Sequence, residues 1–147
     1  MMGKSRLLKQ LANHTPLIYI CLRDPTSSGY PKRSRGIADW LLKGVQNCLK
    51  GKSMSTDVWS FLGTLKFSAF MEATLNQLAN SINTQTLNVE DGGFGWLWGF
   101  FAEPRDDSKL KEFWEEVIEE AEYILCVCFD EDKNACRKKP RQMSFIH

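Results

Sequence analysis

The octet Phe94–Phe101, FGWLWGFF, constrains this chain more than any other stretch. Within eight residues stand two of the five tryptophans and three of the nine phenylalanines. The segment opens after an acid pair and two glycines and is followed closely by Pro104. Wound as a helix, Phe94, Leu97 and Phe101 share one face, and Trp96 and Phe100 share another. Apolar rings on nearly every side call for burial on nearly every side, so other elements must surround this helix. Gly95 and Gly99 lie one turn apart. Each costs a helix interior about 0.5–1 kcal/mol relative to alanine, which is sensible where a second backbone comes close. The segment is therefore expected to be a buried central helix with one glycine edge.

The remaining periodicities are helical too. Ile37, Trp40, Leu41, Gly44, Val45, Cys48 and Leu49 follow i, i+3, i+4, i+7 spacing, with Ser34 as the expected cap and Gly51 as the stop. Val58, Phe61, Leu62 and Leu65 form a second stripe. Phe67, Phe70, Met71, Thr74, Leu75, Leu78 and Ile82 form a third, and Gly63 is expected to divide the two. From about Lys109 to Phe129, Leu110, Phe113, Trp114, Val117, Ile118, Ala121, Leu125 and Cys128 make the clearest stripe. Glu112, Glu115, Glu116, Glu119, Glu120 and Glu122 are expected to lie mostly on its wet side. PLIYICLRDP reads as a short helix opening at Pro16 and ending before Pro25. No strand pattern is visible. The expectation is an all-α bundle of six or seven helices in one domain over residues 1–134, with a basic, mobile tail at 135–147.

Chemistry is sparse. Two histidines stand near the chain ends, at His14 and His147, and none accompanies the five cysteines at metal-ligand spacing. Reduced thiols in a cytoplasmic protein are the expectation. No signal peptide is legible, and no apolar run nears the ~20 residues of a membrane span. GGFG lacks both the preceding strand and the following Lys-Ser/Thr of a phosphate loop. Neither catalysis nor a cofactor is implied.

Charge is segregated. Residues 1–66 hold eleven Lys/Arg and three Asp/Glu, whereas 67–134 hold four and fifteen. The basic half, with Lys32, Arg33, Arg35, Lys43, Lys50 and Lys52, keeps a nucleic-acid-binding bundle open as one reading. Oppositely charged elements facing one another, within one fold or across a homodimer, are the favoured reading.

FGWLWGFF, after Asp91-Gly92, resembles the first homology motif of the Bcl-2 family of apoptosis regulators, whose usual form is Trp-Gly-Arg-Ile-Val-Ala-Phe-Phe. Phe94 takes the tryptophan place, Gly95 the glycine, Trp96 the arginine, Gly99 the small residue and Phe100-Phe101 the closing pair. Val45-x-x-x-Leu49-x-x-x-Ser53-Met54 resembles a degenerate third motif, and LIYICLRDPTSSGY resembles the first helix. The eroded motifs and the absence of a C-terminal anchor look most like the Bcl-2 mimics of large DNA viruses. That resemblance implies a Bcl-2-like helical bundle that sequesters the amphipathic homology helix of pro-apoptotic proteins. The groove would be lined by Val45, Leu49, Phe67, Phe70, Met71, Phe94, Gly95 and Trp96. It implies cytoplasmic localisation, in an infected host cell if the chain is viral. The alternative is a Bcl-2-like host-interaction module that inhibits signalling outside apoptosis.

Overall fold

A computed structural model of the chain describes residues 2–49, 56–84 and 93–129. These hold five helices and no strand: α1 (Met2–Ala12), α2 (Ile37–Leu49), α3 (Thr56–Asn83), α4 (Gly95–Phe101) and α5 (Asp107–Phe129). The expected all-α bundle is the observed architecture. The tail at 135–147 lies outside the described residues, as do Gly51, Lys50 and Lys52.

The longest contact is between α3 and α5. Ala69, Phe70, Ala73, Thr74, Gln77 and Ser81 of α3 are buried, as are Phe113, Trp114, Val117 and Ala121 of α5. Small residues on α3 face large ones on α5, which lets two helices approach without voids. α2 closes one side of this pair with Ile37, Trp40 and Leu41. α3 runs unbroken through Gly63, because one glycine costs less than interrupting 28 residues of helical hydrogen bonds.

α4 lies between two apolar clusters. Leu97 and Phe101 enter the larger one with α3 and α5. Trp98 and Ala102 form a smaller one with Ala12 and Leu8 of α1. The segment is only seven residues long, and Pro104 follows its last turn.

Pro16–Asp24 is not helical. Leu17–Cys21 has no regular secondary structure and lies as a strap on the clusters. Leu17 packs on the smaller cluster, Ile18 and Ile20 on the larger, and Tyr19 on both. The strap is clasped at its end: the Cys21 amide donates to Ser34 Oγ at 2.9 Å and the Ser34 amide to Cys21 O at 3.0 Å. Ser34 therefore serves the strap through its hydroxyl instead of capping α2, although its carbonyl accepts the Ala38 amide.

Candidate functional site

The core beneath the surface is a chain of rings. Phe101 meets Phe113 at 5.4 Å and Trp114 at 5.3 Å, Phe100 meets Phe113 at 5.6 Å, and Trp114 stacks on Phe70 at 6.3 Å. Edge-to-face pairing of this kind adds to the area that the rings bury. Phe70, read as a groove wall, is thus a core residue. Trp96 is half-buried and packs on the same cluster.

α3 carries apolar side chains well beyond its packed face. Phe67, Met71, Leu75 and Ile82 project from an adjoining face, and all are exposed, Phe67 to 58% and Leu75 to 53%. Their spacing of i, i+4, i+8 and i+15 keeps them on one side of the helix. The sequence stripe is therefore two stripes: Phe70 and Thr74 turn inward, and Phe67 and Met71 outward. Val45 and Leu49 lie on α2, but their side chains fall outside the described residues.

Gly95 has a neighbour within the chain. A Cβ built on it would stand 2.8 Å from Asn13 Oδ1, and one on Gly93, whose φ is +111°, would stand 3.1 Å from Asn13 O. The end of α1 thus occupies the close-approach position. Gly99, by contrast, has nothing within 4 Å of its Cβ position. Phe94, between the two constrained glycines, is exposed.

Two polar clusters stitch the helices together. At the meeting of α2, α3 and α5, Lys66 Nζ donates to Trp40 O and sits 4.3 Å from the centre of the Trp40 ring. Trp40 Nε1 donates to Glu122 at 3.1 Å. Burial, and then Lys43, push the Lys66 ammonium below its ordinary pKa. Along the α3–α5 seam, Gln77 donates to Glu116 and Asn76 to Glu120 Oε1 at 3.0 Å. Glu120 Oε2 is enclosed and makes no hydrogen bond. Burial, with Glu72 nearby, raises the Glu120 carboxyl above the usual range, against the opposing Asn76 bond. Glu116 and Glu120 are therefore not part of a wholly wet face. The polar residues Asn76 and Gln77, which interrupt the α3 stripe, were the signal that this seam is polar.

Behind α4, Glu103 gathers several donors. The Tyr30 hydroxyl, followed by Lys9 and the Trp98 indole, holds its carboxyl below the ordinary value. Lys9 Nζ lies 3.2 Å away, and the enclosed Trp98 N–H is near but closes no hydrogen bond.

Arg33 donates to the Leu22 and Arg23 carbonyls and pairs with Asp39 at 2.7 Å. It is committed to the fold and leaves the proposed nucleic-acid set. Lys32, Arg35 and Lys43 remain exposed. Cys21 is a free, buried thiol, whereas Cys126 is in a disulfide bond, its partner lying outside the described side chains. That corrects the expectation of reduced thiols throughout, which rested on the odd count and on the absence of paired spacing in the sequence. Among the described residues no cluster of three metal-ligating side chains occurs, and no helix is long and apolar enough to cross a membrane.

No curated protein and no solved structure matches the chain. One family model, described as "Domain of unknown function (DUF8735)", matches residues 1–131. The chain thus belongs to the DUF8735 family.

Proposed function

We propose that this chain is a non-catalytic, helix-capturing protein. Its occupant would be the amphipathic homology helix of a pro-apoptotic Bcl-2 protein, and its effect would be to inhibit apoptosis. The observation that carries the reading is the exposed row Phe67, Met71, Leu75 and Ile82 on a helix whose adjoining face is packed into an aromatic core. A rigid helix with four apolar side chains at helical spacing suits a partner helix with apolar positions at i, i+3/i+4 and i+7. An exposed row of this kind is unusual on a surface with no partner. The FGWLWGFF resemblance supplies the identity of that partner. In this reading Phe94 and Trp96 flank the site. Gly95 admits a ligand only if the Asn13 side chain swings aside.

The test is a titration of the full chain against a panel of pro-apoptotic homology peptides, with Phe67→Ser/Met71→Ser beside it. Saturable binding tighter than about 10 μM, or roughly −7 kcal/mol, is expected. It should be nearly indifferent to salt and lost in the double variant. No binding across the panel, or binding that ignores the substitutions, overturns the reading. Steep salt dependence would point instead to phosphate contacts and a nucleic acid.

A further inference from the structure

The N-terminal helix α1 carries Lys4, Arg6 and Lys9 and no acidic residue. Its hold on the rest of the molecule is narrow. Ala12 is buried, Leu8 packs on the Trp98–Ala102 cluster, and Lys9 pairs with Glu103 in an exposed bridge. On its outer side Leu7 and Leu11, one turn apart, are 65% and 47% exposed. Lys4 and Arg6 are exposed beside them.

Nothing in the fold needs leucine at these two outward positions. Polar side chains there would serve the helix equally well. A partner that uses the row must accept apolar and cationic groups together and must itself be anionic. A nucleic acid would use Lys4 and Arg6 but leave the leucines in water. The interface of an anionic bilayer uses both: leucines enter the acyl boundary, and lysine and arginine stay among the headgroups. We infer that α1 docks the protein on anionic lipid surfaces, as a peripheral and reversible contact with no membrane span. This inference is independent of the helix-capture reading, since α3 takes no part in it.

The experiment is co-sedimentation of the full chain with vesicles of phosphatidylcholine and phosphatidylserine, against vesicles of phosphatidylcholine alone. Binding to the mixed vesicles only, weakening as salt is raised, is expected. Lys4→Gln/Arg6→Gln should lower the partition coefficient about 25-fold, at about fivefold per cation near such a surface. Leu7→Ser/Leu11→Ser should abolish sedimentation. Its helicity by circular dichroism should stay unchanged, because both side chains face out. No preference for the anionic vesicles, or undiminished binding by the leucine variant, overturns the inference. Duplex DNA binding that competes with the vesicles and survives the leucine substitutions also overturns it, and assigns α1 to nucleic acid.

Discussion

Replacing Trp114 by alanine tests the core where its rings converge. The indole is 2% exposed and lies within 6.3 Å, centre to centre, of Phe70, Phe101 and Phe113. A buried tryptophan removes about 200 Å² from water, worth about 5 kcal/mol at about 25 cal/mol per Å². Lost ring pairing and the residual cavity add to the cost. One term runs the other way. The Trp114 N–H is enclosed without a partner, and removing such an orphan donor recovers about 1–3 kcal/mol. The net expectation is a loss of about 3–5 kcal/mol, a large share of the stability of a domain this size. Trp114→Phe keeps a ring and removes the orphan donor, so it should cost less than about 2 kcal/mol by the same two terms. The assay is urea unfolding followed by far-ultraviolet circular dichroism, which does not depend on the deleted chromophore. A loss below about 1 kcal/mol for the alanine variant would place Trp114 at the surface. A loss well above about 2 kcal/mol for the phenylalanine variant would show that the indole N–H is satisfied.

Other expectations follow from single residues. Gly99→Ala should stabilise by about 0.5–1 kcal/mol, since its Cβ meets nothing within 4 Å; a loss in the same unfolding assay would reveal a close neighbour. Gly95→Glu must displace Asn13 and should abolish homology-peptide binding with the melting temperature nearly unchanged; joint loss of fold and binding would assign the glycine to internal packing alone. In the proposed reading Trp96 stands where the resembled motif has an arginine that would pair with an aspartate of the homology helix, and it is neutral, so replacing that aspartate with alanine should cost under about 1 kcal/mol, the range of an exposed contact; a larger loss by calorimetry would point to another basic residue. Glu120→Gln should raise the melting temperature near neutral pH and do so less on acidification. The folded state raises this carboxyl's pKa, so the native protein binds the extra proton, and stability falls as pH rises from the unfolded pKa of about 4.3 through the folded one. A melting temperature that falls at neutral pH would mean that the charged form is stabilised.

The α5 stripe was legible because its wet positions are acidic and its dry ones large and apolar, so Phe113, Trp114, Val117 and Ala121 separate cleanly from Glu112, Glu115 and Glu119. In α3 the same logic ran out. Phe67, Phe70, Met71, Thr74 and Leu75 spread apolar character around the helix, and periodicity cannot say which part another element covers. Ala69 and Ala73, too small to stand out in the sequence, mark the covered side. The Leu17–Cys21 strap was misassigned because five apolar residues in a row suit a buried helix or an extended segment, and Pro16 and Pro25 are compatible with either. For the candidate site, Phe67 and Met71 were legible as apolar. Their exposure was not, nor was the presence of Asn13 against Gly95, which depends on a contact between residues far apart in sequence.

The clasp between Cys21 and Ser34 has a use at the bench. Its paired hydrogen bonds, joined by Arg33 on the Leu22 and Arg23 carbonyls, hold both ends of the intervening loop. Its tip, Pro25–Ser28, lies exposed in solvent. Lengthening a loop whose ends are already fixed adds little entropy, about 0.6 kcal/mol for each doubling. A short peptide tag placed between Ser27 and Ser28 would therefore be displayed in solvent at little cost to the fold. It would give a handle for immobilising the protein through a segment that belongs to none of its helices.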